Sequence, residues 1–146
     1  MGGKHGRLLG IDYGSVRLGL ALSDGGRRLA QGLATYRRRD LSKDFAYLKE
    51  LIAQHQIVAI VLGLPLNMDG SLGKQARQVL RFKAQLEAEL KLPVALFDER
   101  LSSAEAERLL LSADFSRRRR RGLRDQLAAT LILQGYLDQD RRSEQR

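Results

Sequence analysis

The run Ile57-Val58-Ala59-Ile60-Val61-Leu62-Gly63 constrains the fold more than any other stretch of this chain. It is continuously apolar and rich in β-branched residues, too short for a buried helix, and it ends on glycine. A strand of that kind is buried on both faces, so it belongs inside a sheet that carries helices above and below. The surrounding periods agree. Phe45, Leu48, Leu51, Ile52 and His55 recur at helical spacing before it, and Leu72 to Lys91 reads as a second helix after it. Val94-Ala95-Leu96-Phe97 is a further short buried strand.

The N-terminal third is organised differently. Arg7 to Ile11, Arg17 to Ser23 and Leu29 to Tyr36 read as three strands, separated by the turn Asp12-Tyr13-Gly14-Ser15 and by Asp24-Gly25-Gly26-Arg27. Three adjacent strands form an antiparallel meander. The later strands, reached through helices, run parallel. Ser102-Ser103-Ala104-Glu105 has the form of a capping box and predicts a third helix to about Ala113. Asp114 to Gly122 is an Arg-rich connection, and Leu123 to about Asp138 is the last helix. The expected fold is therefore α/β, a five-stranded mixed sheet flanked by helices. Residues 7–138 form one domain between a polar lead, 1–6, and a charged tail, 139–146.

The chain has 146 residues and no Cys, which excludes disulfides, thiolate-bound zinc and thiol catalysis. Its two histidines, His5 and His55, are far apart. No segment is apolar enough to span a membrane and no secretory leader is visible, so the expected location is cytoplasmic. The net charge of +9, from 26 Lys and Arg against 17 Asp and Glu, favours a nucleic-acid partner.

Acidic residues fall where parallel sheets place their sites, at the carboxyl ends of strands. Asp12 ends the first strand, and Asp98 and Glu99 end the last. Asp125 is expected in the first turn of the final helix, on one face with Ala128, Ala129 and Ile132. Each has a plain structural alternative: Asp12 as a turn cap, Asp125 as a favourable acid at a helix N-terminus. Three acids able to meet form an all-oxygen set suited to Mg²⁺ or Mn²⁺. In a basic protein, such a set suggests metal-assisted phosphodiester cleavage.

Four blocks in order carry a resemblance: Gly10-Ile11-Asp12-Tyr13-Gly14, Gly63-Leu64-Pro65-Leu66-Asn67-Met68-Asp69-Gly70, Asp98-Glu99-Arg100-Leu101-Ser102 and Asp125-Gln126-Leu127-Ala128-Ala129. Together they resemble the YqgF/RuvX family of ribonuclease-H-like nucleases, over about Arg7 to Leu137. The resemblance implies a ribonuclease-H-like fold and a metal-dependent endonuclease. That activity is either a Holliday-junction resolvase or a 5′-end processor of the small-subunit (pre-16S) ribosomal RNA precursor. It maps the catalytic and metal-binding triad onto Asp12, Glu99 and Asp125. Strand periodicity alone does not choose between Asp98 and Glu99; the resemblance chooses Glu99 and leaves Asp98 to hold the loop or a nearby Arg. Related RuvC-type resolvases instead carry an acid where this chain reads Leu62-Gly63-Leu64, and another at the position of Gly122.

Asn67 and Ser71 are candidate phosphate contacts, with Ser71 alternatively capping the next helix. Arg117, Arg118, Arg119, Arg120 and Arg121 form the densest charge run, and phosphate contact is the better reading of them. Arg17 and Arg100 flank the acids, to clamp substrate or to pair with them. The four tyrosines are scattered, so recognition of backbone and shape is expected, on branched DNA or precursor rRNA. Two cuts at a junction favour a homodimer, although the sequence marks no interface. Two other functions compete. An actin-like ATPase would need a second domain, and no Walker motif is present. A non-catalytic nucleic-acid-binding module would use the acids for structure only.

Overall fold

The computed structural model describes residues 6–101 and 117–144, the side chains of 117–121 and 144 excepted. The three N-terminal strands, β1 (Arg7–Asp12), β2 (Arg17–Ser23) and β3 (Ala30–Arg37), form the expected antiparallel meander. Helix α1 (Leu41–His55) leads to the apolar strand β4 (Ile57–Leu64), and α2 (Lys74–Leu90) leads to β5 (Val94–Asp98). Both later strands are parallel to their neighbours, and the sheet order is β3-β2-β1-β4-β5. A 3₁₀ turn, Glu99–Leu101, follows β5. The last described helix, α3, spans Arg117–Glu144.

Local chemistry explains most of the boundaries. Asp40 caps α1 by accepting the Lys43 N–H, and Gln56 closes it in the left-handed region. Alternation then divides the strand side chains between two cores. Leu9, Ile11, Leu18, Leu20, Ile60 and Leu62 pack with Phe45, Leu48, Val79 and Phe82 under α1 and α2. Leu8, Ala21, Ala59, Val61 and Phe97 face Ala129, Ile132, Leu133 and Leu137 of α3. Burying Ile132, Leu133 and Leu137 contributes on the order of 1.5–3 kcal/mol each.

The α3 face of the sheet is lined with glycines, one from each of four neighbouring strands. A Cβ at Gly10 would lie 2.8 Å from Leu133 Cβ, one at Gly32 2.9 Å from Gln126 Oε1, and one at Gly63 2.5 Å from Ile132 Cδ1. A Cβ at Gly19 would overlap the Asp125 backbone carbonyl outright. The helix therefore sits nearly on the sheet backbone, in a groove that larger side chains would fill. A bulge between Leu20 and Ala21 in the β2–β3 pairing inserts one residue into β3. It turns both Gly32 and Thr35 toward α3, where Thr35 Oγ1 donates to the Gly122 carbonyl at 2.7 Å.

Several expectations are corrected here. The arginine run 117–121 belongs to α3 and not to a loop, because arginine is a good helix former even where no apolar period marks the turn. Asp125 is consequently in the third turn of that helix, so the macrodipole account of it lapses. The helix also continues through 139–144, most of the segment expected as a tail. Helix α2 starts at Lys74, and its cap position is Gly73, so Ser71 is not a cap. The expected helix at 102–113 lies outside the described residues.

Two substitutions test the seat of α3. Gly19→Ala should destabilise by about 1–3 kcal/mol or more, since backbone must yield on one side or the other. Gly25→Ala, whose Cβ would meet nothing within 4 Å, should stay within about 0.5 kcal/mol. Equal urea midpoints for the two variants would contradict the close seat of the helix.

Candidate active site

Asp12 is the last residue of β1, on the side of the sheet that faces α3. Its partner across to β2 is Gly19, and on β4 the next step after the Ile11–Leu62 pair is Gly63. The carboxylate thus stands between two residues without side chains, and two other acids come into that space. Asp125 reaches it because its backbone rests on Gly19. Glu99 reaches it from the turn after β5, its Oε1 lying 2.8 Å from where a Gly63 Cβ would be. The position at which RuvC-type resolvases are read to carry an acid is thus covered here by a carboxylate from the neighbouring strand.

The electrostatics report the same convergence. Burial, then the charge of Glu99, then that of Asp125, push the Asp12 carboxyl up to about 7. Asp12 and Glu99 are hydrogen-bonded to each other, and burial also raises Glu99. One proton held between two carboxyls is the arrangement expected of like charges forced together. Asp125 is engaged elsewhere: its Oδ2 accepts from Arg17 Nε at 2.8 Å. As a result, no three ligand-type side chains among the described residues stand ready-made around an ion. The acids are gathered, two of them hydrogen-bonded to each other and the third paired with an arginine. The donor set is all oxygen, and burial penalises its charge. Both properties suit a hard divalent cation.

The turn after Asp12 is held from below. Arg38 donates from its main chain to the Val16 carbonyl at 2.8 Å and from its guanidinium to the Gly14 carbonyl at 3.1 Å. Its guanidinium also lies 5.1 Å from the centre of the Tyr13 ring and 5.2 Å from that of Phe82. Buried Asp44 anchors Arg38 at 3.0 Å and accepts from Tyr36 Oη and the Arg39 N–H. Burial pushes the Asp44 carboxyl up, but these donors outweigh it and hold it below its usual range. Sequence reading passed over this cluster and over Gly19, and it did not read Gly63 as a site of close approach. The signals were present: Asp44 shares a helix face with Leu48 and Leu51, and a glycine inside a strand marks close backbone approach.

The remaining candidates lie apart from the triad. Asp98 turns away from it, chelated by Arg100 Nε and Nη2, the shorter contact 2.7 Å, and this pairing lowers its carboxyl. Arg100 Nη1 also donates to the Met68 carbonyl, tying the loop after β4 to the end of β5. Asn67 and Ser71 are spent within that loop: Asn67 Nδ2 donates to Ser71 Oγ at 2.9 Å, and Ser71 Oγ donates to Asp69 at 2.6 Å. The side chains of Arg117 to Arg121 are outside the description.

Comparison with known proteins places this geometry. The RuvX family model, described as a Holliday junction resolvase, matches residues 6–139. A protein of Moorella thermoacetica named "Putative pre-16S rRNA nuclease" is 55% identical over 132 residues, covering 90% of this chain and 94% of its own. A protein of the same name from Syntrophomonas wolfei is 50% identical with the same coverage. T. thermophilus RuvC, solved in complex with a Holliday junction substrate, superposes with a TM-score of 0.54 at 18% identity. That match covers 92% of this chain and 96% of RuvC, a likeness of fold. Matched over nearly its whole length by the family model and by relatives of 50–55% identity, the chain belongs to the RuvX family of ribonuclease-H-like nucleases.

Proposed function

We propose that this nuclease is metal-dependent, that Asp12, Glu99 and Asp125 bind Mg²⁺ or Mn²⁺, and that its substrate is precursor 16S ribosomal RNA. The observation that carries the metal reading is the Asp12 carboxyl, raised to about 7 among two other acids. A site that penalises its own anions gains most from a cation. Bound there, a divalent ion would activate the attacking water and stabilise the leaving oxygen of the phosphodiester.

The chain's own residues supply the rest. Asp12 and Glu99 would hold the ion as ionised carboxylates, and Asp125 would join them once freed from Arg17. The Arg38–Asp44 cluster keeps the Asp12 turn from shifting, which matters because misplacement of about 1 Å can cost 10²-fold in rate. The net charge of +9 draws the phosphate backbone in. The RNA substrate is supported by the naming of the 55% and 50% identical relatives. Junction DNA is the second reading, supported by the description of the family model. The deciding experiment offers precursor rRNA, junction DNA and plain duplex side by side. Specific cleavage of the precursor with Mn²⁺ or Mg²⁺ is expected, with poor cleavage in Ca²⁺ and none in EDTA. Robust cutting in EDTA would remove the metal, and preference for the junction would reverse the substrate.

Asp12→Asn should abolish cleavage while leaving nucleic-acid binding in EDTA largely intact. Its effect on stability in EDTA should be the reverse of ordinary damage. A carboxyl raised from 3.8 to about 7 on folding favours the folded state fully below about pH 4 and loses that advantage as pH rises through 7. The parent should therefore weaken between pH 4 and 8, by at most about 1.4 kcal/mol for each pH unit crossed. Asp12→Asn should melt higher than the parent at pH 8 and show no such advantage at pH 4. A variant that still cuts at the parental rate would exclude Asp12 as a ligand.

Neutralising three of Arg117 to Arg121 should weaken binding to all sequences alike. The slope of log affinity against log salt should become shallower by roughly 0.7–0.9 for each phosphate that is no longer neutralised. An unchanged slope would mean that the run is only solvated.

A further inference from the structure

Three arginines with described side chains belong to the acidic site or to the turns and loops that support it, and they are built differently. Arg38 is almost covered, with 12% of its side chain exposed, and spends its donors on Asp44, the Gly14 carbonyl and two aromatic faces. Arg100 engages Nε, Nη1 and Nη2 on Asp98 and the Met68 carbonyl. Arg17 makes a single bond, from Nε to Asp125 Oδ2, and its side chain is one third exposed. Its Nη1 and Nη2 groups bond no other described residue. A guanidinium carries five N–H donors, so most of Arg17's capacity is unspent at the mouth of the site.

The partner of Arg17 is the acid least able to retreat, because its carbonyl is pressed against Gly19. Asp125 must therefore serve both Arg17 and a cation from one place. A divalent ion at ligand distance from its carboxylate would sit beside the guanidinium, and like charges at that range repel. Arg17 has room to leave: its side chain is one third open to solvent, and among the described residues one bond holds it. The anion next to a cation so bound is the scissile phosphate, whose oxygens match the planar fork.

We propose that Arg17 is a phosphate-binding residue that cation entry uncovers: it neutralises Asp125 in the empty site and moves to the substrate phosphate in the loaded one. The proposal rests on the metal-dependent reading above. It couples the two ligands, because each removes a competitor of the other, so cation should tighten nucleic-acid binding and nucleic acid should tighten cation binding. It also explains why the acids can gather before either ligand arrives.

The test follows the Arg17 Nε–H by NMR of the full chain labelled with ¹⁵N-arginine, using diamagnetic Mg²⁺. The signal is assigned by its loss in Arg17→Lys. In EDTA it should exchange slowly, as an ion-paired group does. At saturating Mg²⁺ it should take on the shift and fast exchange of a solvated guanidinium. A second readout is binding of a labelled oligonucleotide by anisotropy. Arg17→Lys keeps the charge but loses the fork, so its affinity should fall severalfold in Ca²⁺ and match the parent in EDTA. Mg²⁺ bound, as reported by shifts of the Asp12 and Glu99 carboxyl carbons, with the Arg17 signal unmoved would overturn the exchange alone. Equal losses in Ca²⁺ and EDTA would do the same. Failure of Mg²⁺ to perturb those carboxyls would remove the metal reading, and this proposal with it.

Discussion

The close seat of α3 on the sheet is the contact on which the rest depends. Gly32, Gly19, Gly10 and Gly63, one each from β3, β2, β1 and β4, leave a strip of bare backbone. The helix answers with Ala129 and with its own Gly135, whose missing side chain admits the Phe97 ring. Nothing in this strip is generous: several of the missing Cβ positions lie within 3 Å of α3 atoms. Because α3 cannot rise, Asp125 is delivered to the level of Asp12, and Glu99 can fold over Gly63 to meet them. An ordinary helix-on-sheet distance would leave the three acids on separate surfaces.

That proximity has an electrostatic cost, which the molecule meets in two ways. Asp12 and Glu99 are hydrogen-bonded to each other with both carboxyls pushed up, and Asp125 is paired with Arg17. On the metal-dependent reading proposed above, a cation would displace both arrangements and leave the supports around them in place. Arg38 is buried against Tyr13, Phe82 and Asp44, and Arg100 is fixed between Asp98 and the loop after β4. The site thus combines a rigid frame with two displaceable counter-charges. On that reading function and stability would oppose each other at Asp12, as they do wherever charges are gathered before their ligand arrives.

The architecture was legible because its signals are periodic and local. The uninterrupted Ile57–Gly63 run announced an interior parallel strand, the turn glycines separated the meander, and the acids fell at strand ends where α/β sheets place their chemistry. What was missed depends on contacts between distant segments. Five consecutive arginines show no apolar stripe, so the first turns of α3 looked like a loop although arginine favours helix. Asn67 and Ser71 looked available for phosphate; in the structure Asn67 donates to Ser71, and Ser71 donates to Asp69. Gly63 looked like the place of a missing acid for which Glu99 stands in, but the close approach of Glu99 Oε1 over Gly63 is a contact between distant segments that sequence does not show. Arg17 could be placed near the acids from sequence, but its choice of Asp125 needed the antiparallel pairing of Asp12 with Gly19.

The most direct test of the gathered triad is the anomalous difference map of a crystal soaked in Mn²⁺. The expected result is a peak between the carboxylates of Asp12, Glu99 and Asp125, with Asp125 released from Arg17 and the Asp12–Glu99 hydrogen bond replaced by metal–oxygen bonds of roughly 2.0–2.2 Å. Mn²⁺ bound elsewhere on the surface, with the shared proton and the Arg17–Asp125 pair undisturbed, would contradict it.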